Sequence, residues 1–405
     1  MLIFIKIAWR NIRRNFYRSV ITISSIGIGF ASLFFIRSFI DGADHQMVEN
    51  YTGLISGHIQ IHSKGFQDNP GLKKSIRSPL EVTGALVKAS GITAVSPRVK
   101  EYVLISSAEN SGGALLMGVD PEQEVNVTSL HKHIRSGKFV STDGQIVIGK
   151  TLARSLSVGI NDKIVVVAQA FDGSLASESY RICGLLDTGA EEMDKGLAIV
   201  TLRAADQLFV LDGKVSEFAV RAGSLEKTDK ITASIKRSLD PLKYEVLSWK
   251  EISPSLLQWI QFDVAFSDFL LLVILLVVAA GILNTLLMGI LERVREFGIM
   301  LALGTKRRQI VLMIGIESLI LGLAGIAAGF ALGAGSSGYF AVHGINLSSF
   351  SAALDEYYTG SVIYPRISYG YPVIYGTIVL ITSLIVSIYP AWRAARLNPV
   401  EAIRG

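Results

Sequence analysis

The chain has 405 residues, half of them hydrophobic and only 18% charged, and its mean hydropathy is +0.44. This composition excludes a soluble globular protein and indicates a membrane protein. The net charge of +5 lies mainly in short segments beside the apolar runs, which indicates contact with anionic lipid rather than nucleic acid.

The first predicted element is an amphipathic elbow helix over residues 1–18, in which basic residues stand among apolar and aromatic ones. These basic residues are Lys6, Arg10, Arg13, Arg14 and Arg18. A transmembrane helix is predicted next, over 19–40. Its apolar run is longer than that of a signal peptide and no small-x-small cleavage pattern follows it, so we predict a retained anchor.

Residues 41–265 have the composition of a soluble protein and predict an extracytoplasmic α+β domain of two lobes, the inner one near 120–215. Helical patterns, of which 225–239 is the clearest, alternate there with short β-rich runs. These runs lie at 57–62, 114–119, 163–170, 196–202 and 217–222. The single cysteine, Cys183, excludes an intramolecular disulfide, and we interpret it as a small buried hydrophobe.

Three later apolar runs are each long enough to cross a hydrocarbon core of about 30 Å, which takes roughly 20 helical residues. They predict transmembrane helices over 266–291, 310–336 and 371–388. The predicted fold class is therefore an α-helical membrane protein with four transmembrane helices and a large α+β extracytoplasmic domain inserted between helices 1 and 2.

The positive-inside rule predicts which short segments lie in the cytoplasm. Basic residues are concentrated in the N-terminal flank, in segment 292–309 and in the tail 389–405, so all three are predicted to be cytoplasmic. Those of the last two segments include Arg293, Arg295, Lys306, Arg307, Arg308, Arg393, Arg396 and Arg404. The loop 337–370 has few basic residues and is predicted to be extracytoplasmic.

Two sequence motifs match nucleotide-binding patterns, but we interpret neither as a nucleotide site. Residues 144–151, GQIVIGKT, fit the P-loop pattern, yet Ile146, Val147 and Ile148 are better read as a strand than as a flexible phosphate-binding loop. Residues 333–338, GAGSSG, fit G-x-G-x-x-G but are predicted to be the end of a membrane helix.

The histidines and acidic residues give no convincing catalytic or metal site. His58 and His62 share one face of a predicted strand, and His131 and His133 share a face of another, without acidic or cysteine partners at metal-ligand spacing. We predict no catalytic residue, no metal site and no cofactor on this chain.

Segment 292–309 is the main functional candidate, because a charged, glycine-punctuated loop between two spans is typical of a cytoplasmic coupling element. In the following span, glycines in a small-xxx-small series let another helix approach closely, either within the subunit or on a partner permease. These glycines are Gly322, Gly325, Gly329 and Gly333. Glu317 in the same span is a functional candidate as an intramembrane acid, or it pairs with a cytoplasmic basic residue.

The stretch 289–329 carries a resemblance to a known family. It reads GILERVREFGIMLALGTKRRQIVLMIGIESLILGLAGIAAG and resembles the signature of FtsX-like ABC transporter permeases, the MacB and Lol group. The tail YPAWRAARLNPVEAIRG, with Pro399 and Arg404, is similar to the same group. So are the segments IAWRNIRRNFYRSVITISSIGIG, GHIQIH, MGVDP and IVIGKTLARSLSVG, and the resemblance therefore covers essentially the whole chain.

The resemblance implies mechanotransmission, in which ATP and Mg²⁺ bind a separate cytoplasmic ATPase dimer whose movement is passed through the coupling segment to a MacB-like periplasmic domain. It implies that seven residues couple to the ATPase. They are Glu292, Arg293, Arg295, Glu296, Gly298, Gly304 and Arg308. It also implies a bacterial inner-membrane protein with cytoplasmic termini, a second permease that is identical or related, and a periplasmic carrier or adaptor.

Three functions are compatible with this resemblance. The first is extraction of lipoproteins, or other lipid-anchored cargo, from the inner membrane for delivery towards the outer membrane. The second is an exporter or efflux permease with a separate ATPase subunit, and the third is an FtsX-like regulator of an extracytoplasmic hydrolase. The early GHIQIH and the absence of an ATPase domain in this sequence favour the lipoprotein-releasing branch over a MacB-type pump.

Overall fold

A computed structural model of the chain describes residues 2–350, 358, 360–368, 370–398, 400 and 402. The predicted family positions Pro399 and Arg404 lie outside these residues. The helices are α1 Leu2–Arg14, α2 Phe16–Tyr51, α3 Pro79–Lys88, α4 Pro121–Val127, α5 Lys150–Ser155, α6 Glu191–Gly196, α7 Leu202–Phe209, α8 Thr228–Ser238, α9 Trp249–Ile252, α10 Pro254–Leu291, α11 Val294–Ala302, α12 Arg307–His343 and α13 Gly370–Ala395. The strands are β1 Ile59–Ser63, β2 Ile92–Ser106, β3 Ser111–Val119, β4 Ile134–Gly137, β5 Gln145–Gly149, β6 Lys163–Gln169, β7 Leu175–Leu186, β8 Leu197–Thr201, β9 Glu217–Ala222, β10 Tyr244–Ser248, β11 Ile345–Asn346 and β12 Val362–Ile363.

The chain divides into two compact units. We call the first the membrane unit; it consists of Met1–Asp44, Ile260–Leu347 and Val362–Gly405. The second, the α+β unit, consists of His45–Trp259 and Ser348–Ser361. Each unit has its own hydrophobic core.

Four helices of the described chain are long and apolar enough to cross a membrane, and they are α2, α10, α12 and α13. Three of them pack around a core that contains Phe30, Val278 and Val379. All four extend beyond the predicted spans, because the flanking sequence is also compatible with helix; Pro254, for example, begins α10 at a position where proline is favoured. The positions at which they enter the membrane therefore stay a prediction.

Two sequence expectations about α12 are wrong. The helix continues to His343, so residues 337–343 are not part of a loop, and GAGSSG at 333–338 lies within the helix rather than at its end. Small residues are tolerated here because Gly333 packs against Phe34 of α2. After α12 the short strands β11 and β12 pair antiparallel.

The α+β unit is built on a ten-stranded mixed sheet with the order β10-β1-β9-β2-β3-β8-β5-β7-β4, in which β6 pairs with β2 and β7. All five predicted strands are present, and the helix predicted at 225–239 is a 3₁₀ turn followed by α8. One hydrophobic cluster lies around β1, β9, α3 and α8, and a second contains residues of β2, β3, β5 to β8, α5 and α7. The second cluster begins before residue 120, and the boundaries of the predicted inner lobe stay a prediction.

The P-loop-like segment forms β5 and α5. Ile146, Val147 and Ile148 are fully buried strand residues, as the sequence predicts. Lys150 forms ion pairs with Asp187 and with Asp194, the latter at 3.7 Å between Nζ and Oδ2. The segment is thus a buried strand followed by a short helix.

The single cysteine and one histidine pair differ in part from expectation. Cys183 in β7 is only partly buried, and burial raises the pKa of its thiol to about 11, which fits an unreactive side chain. His131 and His133 lie on a 3₁₀ turn, Leu130–His133, so the predicted strand is wrong; the turn is stabilised by the Lys132 N–H, which donates to the Ser129 carbonyl at 2.8 Å.

Candidate coupling site

The helix α11 lies between two membrane-spanning helices of the membrane unit. It begins three residues after α10 ends at Leu291 and finishes at Ala302. Gly304 then adopts a φ of +92°, a left-handed conformation that glycine reaches without a steric penalty. The Lys306 N–H donates to the Gln309 side-chain oxygen at 2.8 Å, which begins α12 at Arg307.

The inner face of α11 is anchored by an aromatic side chain. Phe297 is 1% exposed and packs in a cluster with Ile290 of α10 and Ile310 of α12. Ile7 of the N-terminal helix α1 packs on the same cluster. Gly298 beside Phe297 is also buried. These contacts fix which face of α11 is turned towards the protein.

Two carboxylates of the segment pair with the N-terminal helices. Glu292 forms an ion pair with Arg18, and Glu296 Oε1 lies 2.6 Å from Arg14 Nη2. Glu296 also accepts a bond from Arg293 Nε at 3.0 Å. Burial alone would raise the pKa of Glu296, but the bonds from Arg293 and Arg14 outweigh it and the pKa is lowered. Glu296 is therefore a charged bridge between α1 and α11.

Arg293 is the central residue of this network. It is only 8% exposed, its guanidinium lies 5.1 Å from the centre of the Phe297 ring, and its Nη1 is 3.6 Å from Glu317 Oε2 in α12. A small cavity of about 30 Å³ beside it is lined by Arg18, Arg293, Glu317 and neighbouring side chains. Glu317 thus pairs with a basic residue of the coupling segment, one of the two alternatives that the sequence left open.

The outer face of α11 carries an exposed stripe, which we define as Arg295, Ile299 and Leu303. The three residues are four apart and therefore lie on one side of the helix. Leu303 is 82% exposed and Ile299 is 44% exposed. Arg308 is exposed at the start of α12. Within the described part of the chain, neither Arg295 nor Arg308 forms an ion pair, so their charges are available to a partner.

Two family models match the chain. The model of the MacB-like periplasmic core domain matches residues 19–238, which is more than half of the sequence, and that of the FtsX-like permease C-terminal domain matches residues 269–399. The chain belongs to the FtsX-like ABC transporter permeases. The predicted fold class of this family, four spans with a MacB-like periplasmic core domain between the first two, is confirmed.

Two relatives of this FtsX-like permease differ in the function that their names give. The lipoprotein-releasing system transmembrane protein LolC of Neisseria meningitidis is 23% identical over 97% of this chain and 96% of its own length. The macrolide export ATP-binding/permease protein MacB of Bdellovibrio bacteriovorus is 24% identical over 98% of this chain and 60% of its own length. The solved periplasmic region of MacB from Actinobacillus actinomycetemcomitans is 15% identical, covers 53% of this chain and 97% of that structure, and has a TM-score of 0.37.

In this FtsX-like permease the membrane glycines face helices of the same chain. A Cβ on Gly325 would lie 2.6 Å from Ile26 Cβ of α2, and one on Gly329 would meet the Gly27 carbonyl oxygen. Gly333 faces Phe34 of α2, and Gly322 faces Leu380 of α13. Packing within the subunit therefore accounts for these glycines, while their contact with a second permease stays a prediction.

Sequence reasoning assigned the coupling residues but missed the partners of two of them. It placed Arg14 and Arg18 in an interfacial helix, whereas the structure pairs them with Glu296 and Glu292. The signal was present, because two arginines four residues apart match two glutamates four residues apart. The apolar part of the exposed stripe was also missed, since Ile299 and Leu303 resemble core residues in the sequence.

Proposed function

We propose that this FtsX-like permease works by mechanotransmission, receiving movement at α11 from a separate cytoplasmic ATPase and using it to extract lipoproteins from the inner membrane. The observation that carries the proposal is the two-sided character of α11. Its inner side, together with Glu292 and Arg293 just before the helix, is bonded to α1, α2 and α12 through the Arg14–Glu296, Arg18–Glu292 and Arg293–Glu317 pairs. Its outer face presents the exposed stripe.

The exposed stripe has the composition of a protein contact. Large apolar side chains that stay exposed in a polar segment commonly mark interaction surfaces, and arginine is enriched at such interfaces. Leu303 and Ile299 supply the apolar contact, and Arg295 supplies a charge for an acidic side chain of the partner. A force applied there reaches the spans through the ion pairs of the inner face.

Movement of α11 is expected to act on several neighbouring helices together. The Phe297 cluster joins α10, α11 and α12, and the Glu292 and Glu296 pairs add the N-terminal helices. Because packed interiors transmit displacement rather than absorb it, a shift of α11 would move these helices as a group. Four of the seven predicted coupling residues, Glu292, Arg293, Glu296 and Gly298, therefore form an inner set that transmits force. Arg295 and Arg308 form an outer set that meets the ATPase, and Gly304 shapes the turn before α12.

A second permease, identical or related, is part of the proposal. Most of the apolar stretch of α10 is not buried within the single chain, and this surface must face lipid or another helix. Two copies around a two-fold axis would give a closed lateral site between their spans. Cargo that enters sideways with its acyl chains in the bilayer suits such a site, and Gly322, Gly325, Gly329 and Gly333 would keep its wall compact.

Lipoprotein cargo is supported by the end-to-end similarity to LolC, which covers 97% of this chain and 96% of the relative. An exporter is the second candidate, supported by the similarity to MacB over 98% of this chain. On either function the charge bias supports a cytoplasmic location for both termini and α11 and a periplasmic location for the α+β unit. ATP and Mg²⁺ would then bind the ATPase and not this chain.

The proposal is tested on the complex of permease and ATPase, reconstituted in nanodiscs and analysed by mass spectrometry for what co-purifies. We expect triacylated polypeptide, whose release to a carrier requires ATP. Macrolide-like small molecules without acylated polypeptide would favour the exporter and contradict the lipoprotein part.

The coupling part is tested separately with the variant Leu303→Asp and the control Leu242→Asp, an exposed apolar residue of the α+β unit that lies outside the stripe and outside the four membrane-spanning helices. An aspartate is costly to bury at an apolar contact and should weaken docking of the ATPase. Leu303→Asp should therefore lower stimulated ATP hydrolysis at least tenfold in assembled membranes. Unchanged ATPase binding and stimulation in this variant would refute the stripe as the docking surface.

A further inference from the structure

The small cavity beside Arg293 in the membrane unit has the size and the polarity to hold water. Its volume is about 30 Å³, and one water molecule needs roughly 10–15 Å³. We call it the joint cavity, because its lining comes from α2, α10, α11, α12 and the short segments before α2 and α11. Apolar side chains such as Leu286 and Ile314 line it together with charged and hydroxyl side chains, and polar atoms form a large part of its surface.

The ion pair at this cavity is not in direct contact. Arg293 Nη1 lies 3.6 Å from Glu317 Oε2, which is longer than an N–H···O hydrogen bond of about 2.7–3.2 Å. The Glu317 side chain is only 17% exposed, and a carboxylate so far from bulk water needs hydrogen-bond donors. A polar contact of this length beside a cavity is the arrangement in which a water molecule bridges the two groups.

Two threonines of the lining keep their acceptor capacity. The hydroxyl of Thr22 donates to the Arg18 carbonyl at 3.0 Å, and that of Thr285 donates to the Gly281 carbonyl at 2.8 Å. A hydroxyl has one hydrogen and two lone pairs, so the hydrogen of each threonine is already used within its own helix. Each oxygen can still accept a hydrogen bond from water, but neither threonine has a hydrogen left for the carboxylate.

Gly289 of α10 keeps room at the joint cavity, which it also lines. A Cβ on this residue would lie 3.1 Å from Arg18 Nη1, which is a tight contact. The absent side chain leaves Arg18 free to cross to Glu292, with which it forms an ion pair. The open space at this point of α10 therefore depends on a glycine.

The charges around the joint cavity balance, so the site does not call for an ion. Three arginines and three glutamates are paired there. They are Arg14, Arg18, Arg293, Glu292, Glu296 and Glu317. A neutral molecule that both donates and accepts hydrogen bonds fits such a site, and the volume admits nothing larger than about two water molecules.

We propose that the joint cavity binds about two water molecules, of which one bridges Arg293 and Glu317, and that they form a movable joint between α11 and α12. The bridging water accepts from the guanidinium and donates to the carboxylate. Separating a buried pair in direct contact leaves an uncompensated charge, whereas the water keeps both groups hydrogen-bonded while the distance between them changes. The role in coupling rests on the proposed function, but the presence of the water does not.

Occupancy is tested by X-ray radiolytic labelling of the full chain in nanodiscs, read by mass spectrometry, because hydroxyl radicals formed from a bound water oxidise the side chains that touch it. Leu286 and Ile314 line the cavity and are 8% and 3% exposed. We expect them to be labelled severalfold faster than Leu33 and Ile26, buried residues of the same types in α2 that do not line the cavity. Equal labelling would show a dry cavity and overturn the proposal.

The role in coupling is tested with Thr22→Ile in the reconstituted complex. Isoleucine removes the hydroxyl and extends one carbon further into the cavity, so labelling of Leu286 should fall to the level of Leu33. Stimulated ATP hydrolysis should fall about fivefold, as expected for the loss of one hydrogen bond, while the melting temperature stays at the parental value. Thr382→Ile is the matched control, because the Thr382 hydroxyl also bonds a carbonyl of its own helix, at 2.9 Å, but does not line the cavity.

Loss of labelling in Thr22→Ile with undiminished ATP hydrolysis would overturn the role of the water in coupling. Equal falls of melting temperature and activity in Thr22→Ile and Thr382→Ile would also overturn it, since both variants would then act through packing alone. Failure of the proposed function is recognised separately, because Leu303→Asp would then leave ATPase stimulation unchanged while Leu286 and Ile314 of the parent chain are still labelled.

Discussion

The two charged networks of this permease use the same residue types at different depths. Around α11 the two carboxylates that pair with the N-terminal helices are open to solvent, with Glu292 and Glu296 side chains 47% and 44% exposed. In the α+β unit Arg98, which pairs with Glu124 and Glu217, is fully buried and both carboxylates are 1% exposed. Exposed pairs are individually worth about 0–1 kcal/mol and can exchange partners, whereas breaking a buried pair costs several kcal/mol. The first network suits a moving element, and the second suits a rigid frame.

Breaking the buried network is expected to give the largest effect. Arg98→Met removes the cation between Glu124 and Glu217 and should cost about 3–5 kcal/mol of unfolding free energy. The measurement is pulse proteolysis of the full chain in urea, with cleavage mapped to the α+β unit. Asp229→Asn, which breaks the exposed pair with Lys250 at 2.7 Å, is the control and should cost less than about 1 kcal/mol. Equal losses of unfolding free energy in the two variants would contradict the contrast between buried and exposed ion pairs.

The second prediction tests how closely α12 packs against α2 in the membrane unit. Gly329→Val places a side chain against the Gly27 carbonyl oxygen, and its Cβ would lie 3.0 Å from Phe30 Cβ. Such overpacking costs about 1–3 kcal/mol and should lower the melting temperature of the detergent-purified chain. Gly335→Ala is the control, because a Cβ there meets nothing within 4 Å. A stable Gly329→Val variant would show that α2 and α12 do not pack as described.

The third prediction concerns the pH dependence of stability. The expected loss of stability is smaller than that caused by Arg98→Met. Burial lowers the pKa of His62, so the unfolded chain binds a proton at this residue more readily than the folded chain does. Stability is therefore lost as pH falls below about 6.5. Glu217 is buried, which raises its pKa, but Lys100 and Arg98 outweigh this and lower its pKa to about 2. The stability from Glu217 is therefore present above about pH 4.5 and is lost as pH falls towards 2.

The measurement for this pH dependence is the melting temperature of the full chain between pH 7.5 and 5. His62→Gln cannot take up a proton, so its curve should be flatter than that of the parent in this range. His343→Gln, an exposed residue at the end of α12, should leave the parental curve unchanged. Parallel curves for the parent and His62→Gln would refute the role of His62.

The smallest expected effect lies in the exposed network. Arg14→Glu or Glu296→Arg alone places like charges together and should lower stimulated ATP hydrolysis a few-fold, in line with the modest strength of exposed pairs. The double exchange restores opposite charges at positions 14 and 296 but sets an arginine beside Arg293, so it should recover only part of the activity. Arg13→Glu, on the same helix but exposed and outside the pairs, is the matched control. Failure of the double exchange to recover would show that Arg14 and Glu296 do not act together.

Much of the fold could be predicted from the sequence, because long apolar runs and β-rich runs report local structure directly. The strand at 146–148 was correctly separated from a phosphate loop by its β-branched residues. What could not be predicted depends on contacts between distant segments. The pairing of Arg18 with Glu292 joins residues far apart in the chain. The helical position of 333–338 and the burial of His62 opposite Glu217 likewise do not follow from the local sequence pattern.

Gly304 shows how tolerance to substitution can depend on the backbone alone. A side chain there would touch nothing within 4 Å, yet the backbone φ is +92°, where other residues carry strain of about 1–3 kcal/mol. A saturation survey of this permease would therefore record an exposed, contact-free position as intolerant. Methods that score variants by the neighbours they lose would rank Gly304 among the harmless sites and would misjudge the turn that leads into α12.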